Sequence, residues 1–182
     1  MKTINIWILF FSLVNIFTYI FAEEVVVKEE PTLCKSNEKN IFSCATGEKV
    51  ISLCAVITES KEKNILTYRF GKEDAIPELE YSSKEGEDIN KYFQYAYYGY
   101  AKGTTHEVSF KKGKYTYIIA QERHAYIAPN GSGVIVEKNN EKVAELKCNN
   151  SAPDSNLNDL KLKENYFEFE IHDPKYFFSI DH

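Results

Sequence analysis

The sequence predicts a mainly β protein, a small antiparallel barrel or sandwich of about seven or eight strands with a C-terminal extension. Three observations predict it. Short segments rich in β-branched and aromatic residues recur along the chain. Turn residues separate them at intervals of roughly 8 to 15 residues. No long segment with the apolar spacing of a helix occurs before residue 150.

The first 22 residues are typical of a secretory signal peptide. Lys2 is the only charged residue before Glu23, and an apolar run leads to the small residue Ala22 at the predicted cut. The alternative is an uncleaved anchor, because the run is just long enough to span a bilayer. Cleavage leaves a periplasmic or secreted chain without a membrane anchor. Residues 23–39 are then predicted to form a loose, polar leader.

Composition excludes one class of partner. Without residues 1–22 the chain has 21 Lys and Arg against 27 Asp and Glu, a formal charge of −6. Binding to phosphates needs a net basic face, so we expect no nucleic-acid partner. The remaining length fits one domain with its own core.

The β domain is predicted over residues 40–148, and each strand is bounded by turn residues. A turn at Thr46-Gly47-Glu48 joins the first two strands, Gly71 ends the third and Pro77 precedes the fourth. A turn at Lys112-Gly113 joins the fifth and sixth, and Asn139-Asn140-Glu141 joins the last two. In chain order the predicted strands cover residues 41–44, 50–56, 65–71, 78–81, 106–110, 114–121, 133–138 and 142–148.

Residues 149–182 are predicted to form a linker and a C-terminal tail. The linker part, residues 149–160, is polar and contains Pro153. The tail ENYFEFEIHDPKYFFSIDH is aromatic. It is expected either to dock as an extra strand or to form a short extension.

The stretch YFQYAYYGY, residues 92–100, holds five tyrosines and fits a strand or a helix. As a strand, it places Tyr98 and Tyr100 on one face and Tyr95 and Tyr97 on the other. Packing in the core is one interpretation. The other is a recognition surface, because tyrosine supplies contact area at low entropic cost.

Four cysteines in an exported chain predict two disulfides among Cys34, Cys44, Cys54 and Cys148. In the first predicted hairpin Cys44 lies beside the turn and Cys54 lies several residues along the other strand. At about 3.3 Å per residue, this separation exceeds the roughly 7 Å that a disulfide allows between Cα atoms. Two connectivities stay open: Cys34–Cys44 with Cys54–Cys148, or Cys34–Cys54 with Cys44–Cys148.

Other site chemistry finds little support in the sequence. The histidines are His106, His124, His172 and His182, and no two have metal-ligand spacing. His106 and Glu107 are adjacent on a predicted strand and therefore point to opposite faces. No phosphate-binding loop, dinucleotide fingerprint or nucleophile elbow occurs, so we expect neither a metal, nor a cofactor, nor a catalytic residue.

The two arginines differ in their surroundings. Arg69 lies inside a predicted strand among aromatic residues, and a structural ion pair is the favoured interpretation. Arg123 lies between Glu122 and His124 at the end of a predicted strand. That position, at a predicted loop tip, makes Arg123 a candidate contact residue.

Four stretches taken in order, NIFSCATGEKVISLCAV, LTYRFG followed by ELEY, HEVSFKKGKYTYIIA and GVIVEKNNEKVAELKC, resemble a family of small exported bacterial proteins without known activity. The match covers about residues 32–148, and the resemblance implies export and a compact β domain with disulfides. A weaker likeness of architecture is to the periplasmic inhibitors of C-type lysozyme. These inhibitors carry a loop motif with a serine and a lysine. The nearest stretch here, SFKKGKYTY, does not match that motif.

We therefore expect an exported, non-catalytic module that binds a protein or a peptidoglycan-related partner, with an inhibitor as one form of it. The candidate contacts are Tyr95, Tyr97, Tyr98, Tyr100 and Arg123. One alternative is a structural envelope protein without a discrete ligand. The other is a hydrolase that uses His124 or His106 with a neighbouring acid.

Overall fold

Ten β-strands in two sheets make up the computed structural model, which describes residues 31–124, 131–149, 157 and 166–175. Two 3-10 turns occur at Lys61–Lys63 and Ile89–Lys91, and no helix in these residues is long and apolar enough to cross a membrane. The strands are β1 (Lys39–Thr46), β2 (Lys49–Val56), β3 (Ile65–Gly71), β4 (Leu79–Ser82), β5 (Gln94–Tyr100), β6 (Gly103–Lys112), β7 (Tyr115–His124), β8 (Ser132–Lys138), β9 (Glu141–Lys147) and β10 (Ile171–His172).

The first sheet is an antiparallel meander in the order β1-β2-β3-β4. The β1–β2 hairpin turns at Gly47, whose φ of 61° is in the left-handed region that glycine adopts without a steric penalty. Its register pairs Cys44 with Ile51, so Cys54 lies three positions further along β2.

The second sheet has the order β10-β5-β6-β7-β8-β9. Its strands pair antiparallel, except that β10 runs parallel to β5 and pairs Ile171 with Tyr95. Strands β6 and β7 have ten residues each and form the long central ladder of this sheet.

The core lies between the two sheets and is rich in aromatic rings. Tyr68 of β3 lies 5.0 Å from Phe110 of β6, and Tyr81 of β4 stacks on the same ring at 4.5 Å. Rings of this size bury large apolar areas and favour offset or tilted contacts. The buried apolar cluster comprises Ile41, Phe42, Cys44, Ile51, Leu53, Ala55, Leu66, Tyr68, Ile89, Phe93, Tyr95, Val108, Phe110, Ile119, Val134, Leu157 and Phe167.

The predicted mainly β fold is confirmed, and the arrangement is a sandwich and not a closed barrel, because two separate sheets keep their own edges. Two strands exceed the predicted number. The tyrosine run is a strand, β5, and the tail adds β10 to the sheet. Leu157 and Phe167 also belong to the core, so these described parts of the C-terminal region pack against the β domain. Most of the predicted linker, residues 149–160, lies outside the described residues.

Two disulfides connect Cys34 with Cys54 and Cys44 with Cys148. This is one of the two predicted connectivities, and the excluded Cys44–Cys54 bond is absent. The second disulfide closes a sequence separation of 104 residues and joins β1 of one sheet to the residue that follows β9 of the other. In the chain-entropy model a loop of this length stabilises by about 4.7 kcal/mol.

The leader differs from the prediction of a loose segment. Residues 31–38 lie against β2, because the backbone N–H of Leu33 donates to Ser52 Oγ and the Cys34 disulfide holds the chain there. Arg69 is buried and binds the Glu38 carboxylate through both terminal nitrogens, at 2.6 and 2.9 Å. It also binds Glu80 through Nε, which confirms Arg69 as a structural ion pair. The predicted signal peptide lies outside the described residues.

Candidate functional site

Strand β5 divides its tyrosines between the two faces of the sheet. Tyr95 and Tyr97 face the sandwich core, whereas Tyr98 and Tyr100 point to the opposite face. Tyr95 is 1% exposed and Tyr98 is 47% exposed. The two faces of one strand therefore have different roles.

Tyr95 is a core residue. Its hydroxyl shares a 2.7 Å hydrogen bond with Nδ1 of the buried His106, and its ring lies 5.6 Å from that of Phe169. Burial, with a further contribution from Tyr97, raises the pKa of the Tyr95 phenol. A partner cannot reach this ring while the sandwich is folded, so the prediction of Tyr95 as a contact residue is wrong.

Tyr97 occupies an intermediate position on the core face. It is half-buried, packs against the core and lies 5.0 Å from the His106 ring. Its ring also covers Gly99, where a Cβ would lie 2.5 Å from the Tyr97 hydroxyl. Most of the Tyr97 side chain therefore contacts other residues of the protein, and only part of it is accessible to a partner.

Tyr98 and Tyr100 form a surface that we call the tyrosine patch. Their rings stack with centroids 6.0 Å apart on the outward face of the six-stranded sheet. Tyr98 is exposed and Tyr100 is half-buried. The exposed Tyr98 ring thus packs on the half-buried Tyr100 ring, which other residues hold in place.

Tyr100 is held by a three-membered cluster of polar groups. Its hydroxyl donates to Glu122 Oε1 at 2.9 Å and lies 2.8 Å from His124 Nε2. The third side of the triangle joins His124 Nε2 to Glu122 Oε1 at 2.9 Å. Burial and the Glu122 carboxylate raise the pKa of Tyr100 to about 12, so the phenol stays protonated at neutral pH.

Strand pairing and one glycine explain why these groups meet. Tyr100 pairs with Gly103 of β6, which pairs in turn with His124 of β7. Because Gly103 has no side chain, the Tyr100 ring crosses over β6 and reaches β7. Glu122 and His124 are two residues apart on one strand and therefore share that face.

Glu122 lies at the buried end of this cluster and is 6% exposed. In the described part of the chain its second carboxylate oxygen, Oε2, has no hydrogen-bond partner. The buried Thr105 hydroxyl, on the neighbouring strand of the same face, also lacks a partner of ordinary geometry. A buried polar atom without a partner is uncommon and needs an explanation.

Arg123 and the remaining histidines lie elsewhere. Arg123 is half-buried at the same end of the sheet as the tyrosine patch, but it points to the opposite face. His106 and Glu107 point to opposite faces, as predicted, because His106 is in the core. His172 is exposed on β10, and His182 lies outside the described residues.

Two further features of the described residues do not involve the predicted contacts. Cys34, Glu38 and Cys54 bring donor atoms within 4.8 Å of one another, but both sulfurs are in a disulfide and Arg69 binds the carboxylate. They cannot hold a metal in this state. A cavity of about 500 Å³ lies between residues 60–64, 86–89 and 167–168, and no residue of β5 lines it.

The tail provides contacts that sequence reasoning missed. The Lys175 backbone N–H donates to Glu107 at 2.8 Å, and its ammonium binds the buried Glu137 carboxylate. These acids are on the outward face of β6 and β8. The missed Tyr100 cluster had one signal in the sequence, the Glu-x-His spacing of residues 122–124, which places both side chains on one face of a strand.

No protein-family model matches this chain, and no curated protein or solved structure is significantly similar to it. The resemblance to a family of small exported bacterial proteins therefore stays a prediction. The geometry of the described residues carries the functional proposal.

Proposed function

We propose that this chain is an exported, non-catalytic binding module that contacts a protein or a peptidoglycan-related partner through the tyrosine patch. The single observation that carries the proposal is the exposed Tyr98 ring stacked on Tyr100. Large aromatic side chains are enriched at the energetic centres of binding surfaces.

The patch supports binding because its inner ring is already ordered. Glu122 and His124 hold the Tyr100 hydroxyl, so this ring loses little rotamer freedom when a partner arrives. Binding is stronger when the contact residues are ordered beforehand, because less entropy is lost on association. Tyr97 and Arg123 would contribute only to a partner that reaches over the end of the sheet.

Export is supported by the two disulfides, which persist in oxidising compartments. Small exported domains of this kind use disulfides to add to the stability of a modest core. A periplasmic or extracellular location would bring the patch near cell-wall material and secreted enzymes.

The test measures binding of two probes, a C-type lysozyme and purified soluble peptidoglycan fragments, to the oxidised chain lacking residues 1–22. We expect one of them to bind. We expect Y98A to weaken this binding by about 5- to 30-fold, the range for truncating a central interface tyrosine at roughly 1–2 kcal/mol.

The matched control is Y115A. Tyr115 is another exposed tyrosine of the same sheet, at the end opposite to the patch, so its loss should leave the affinity unchanged. Equal binding by wild type and Y98A contradicts the proposal, and so does a wild-type chain that binds neither probe.

A hydrolase is the second candidate function, favoured by the 2.9 Å contact between His124 Nε2 and Glu122 Oε1. In many hydrolases the general base is oriented by a third group within hydrogen-bond distance. This alternative predicts cleavage of the peptidoglycan fragments that H124A abolishes and Y98A retains. A structural envelope protein without a ligand, the third possibility, predicts no effect of Y98A in any binding assay.

A further inference from the structure

We infer that Tyr100, Glu122 and His124 form a binding site for one first-row divalent transition-metal ion that accepts octahedral coordination, with Co²⁺ as the ion to test. The site shares Tyr100 with the tyrosine patch, but metal binding does not require the proposed partner. Four observations support this inference: the number of hydrogen atoms available to the three contacts, a carboxylate oxygen without a hydrogen-bond partner, the types of donor atom and the distances between them.

Tyr100, Glu122 and His124 make three mutual polar contacts, but they carry too few hydrogen atoms to place one in each contact. A phenol carries one hydrogen, an imidazole nitrogen carries at most one, and an ionised carboxylate carries none. The distances of 2.8, 2.9 and 2.9 Å therefore place three polar atoms together with at most two hydrogens between them. A cation above the triangle would accept a lone pair from each of the three atoms at once.

The second carboxylate oxygen of Glu122, Oε2, also indicates a metal ion. Glu122 is 6% exposed, and in the described part of the chain its Oε2 has no hydrogen-bond partner. Leaving a buried charged acceptor unsatisfied is costly. A metal ion bound by both carboxylate oxygens would remove this cost. Hydrogen bonds among Tyr100, His124 and Glu122 Oε1 would not, because they do not involve Oε2.

The donor set selects the class of ion. One imidazole nitrogen with two oxygens suits zinc and its first-row neighbours. Magnesium and calcium prefer sites made of oxygen only. All four cysteines form disulfides, so the chain offers no thiolate for a soft ion.

The spacing of the donors also fits. Metal–ligand bonds of about 2.0–2.1 Å at right angles put neighbouring donor atoms about 2.8–3.0 Å apart, whereas a tetrahedral angle needs about 3.3–3.4 Å. The observed 2.8–2.9 Å is the edge of one face of an octahedron. The site therefore favours an ion that accepts six ligands, such as Co²⁺, over Zn²⁺, which is almost always tetrahedral in structural sites. The His124 side chain is 18% exposed, which leaves a route from solvent to the open positions of that octahedron.

The experiment titrates Co²⁺ into the chelator-treated, oxidised chain lacking residues 1–22 by calorimetry and by competition with a chromophoric chelator. We expect one ion per chain, with affinity lowered at least 10-fold in E122Q and in H124A and lowered less in Y100F. H172A is the control, because His172 is an exposed histidine of the same sheet. Its affinity should equal that of wild type.

A measurement on the wild-type chain avoids any variant that fails to fold. Co²⁺ should broaden the ring NMR signals of His124 before those of His172, and its visible absorption should be weak, as for five- or six-coordinate cobalt. Absence of stoichiometric binding, loss of binding in H172A but not H124A, or broadening of His172 first would overturn the inference. Intense tetrahedral cobalt absorption would overturn it as well.

Discussion

Gly103 lies opposite Tyr100 in the β5–β6 ladder, and a Cβ at Gly103 would lie 2.6 Å from the Tyr100 hydroxyl oxygen. The absence of one side chain on β6 therefore lets a tyrosine of β5 reach two polar residues of β7. The same Cβ would lie 2.6 Å from the backbone oxygen of Arg123, so the strand spacing depends on this glycine too.

The G103A variant should separate Tyr100 from Glu122 and His124 and destabilise the fold. We expect G103A to lower the free energy of unfolding by about 1–3 kcal/mol, the usual cost of forcing a group into a packed site. In a Y100A background the cost should fall, because only the contact with the Arg123 oxygen remains. A double-mutant cycle by urea unfolding measures this coupling, and strict additivity would show that the two residues do not interact.

The two disulfides should differ in their contribution to stability. Cys44–Cys148 spans 104 residues and Cys34–Cys54 spans 20, so the first restricts the unfolded chain more. We expect C44A/C148A to lose about 4–5 kcal/mol and C34A/C54A about 3 kcal/mol. Denaturant unfolding under non-reducing conditions compares them. A larger loss for the short loop would mean that packing of residues 31–38 outweighs chain entropy.

Acid should weaken the fold through Glu38. Burial raises its pKa, but hydrogen bonds from Arg69 and the Lys35 backbone, together with the Arg69 charge, outweigh burial and hold the pKa below its ordinary value of 4.5. The ionised carboxylate therefore stabilises the protein fully above the unfolded-state pKa, and this stability is lost as pH falls through the folded-state value.

Removing the charge tests this assignment. We expect E38Q to be less stable than wild type at pH 7 and the difference to shrink as pH falls below about 4.5. R69M should cost about 3–5 kcal/mol at neutral pH, because it leaves the buried Glu38 carboxylate without its cation. Unfolding free energies from pH 3 to 7 provide the comparison, and a pH-independent difference for E38Q would exclude Glu38 as the group.

The Lys175 contacts should anchor the tail to the outward face of the sheet. The K175M variant removes an ammonium from the buried Glu137 carboxylate, and a hydrogen bond to a charged group is worth about 1.5–3 kcal/mol. We expect faster amide exchange in residues 166–175, which include β10. K142M is the control, because the Lys142–Glu145 pair is solvent-exposed and should contribute less than about 1 kcal/mol. Equal exchange in wild type and K175M would show that other contacts hold the tail.

Much of the fold could be predicted from local patterns. A run of β-forming residues that ends at Gly71 predicted β3, and turn residues predicted the hairpins of β1–β2, β6–β7 and β8–β9. The tyrosine run was ambiguous because apolar residues occur on both faces of a strand and also at helical spacing. Its strand state follows from pairing with β6, which lies downstream in the chain.

The sequence by itself determined the β class, the presence of two disulfides and the exclusion of Cys44–Cys54, because strand period, turn chemistry and residue rise act over a few neighbouring residues. Only the tertiary structure decided the disulfide connectivity, the burial of Tyr95 beside the exposed Tyr98, and the meeting of Tyr100 with residues 22 and 24 positions away. These features depend on which strands become neighbours and which face meets the core. That choice depends on the summed packing of the whole chain, and no single segment carries it.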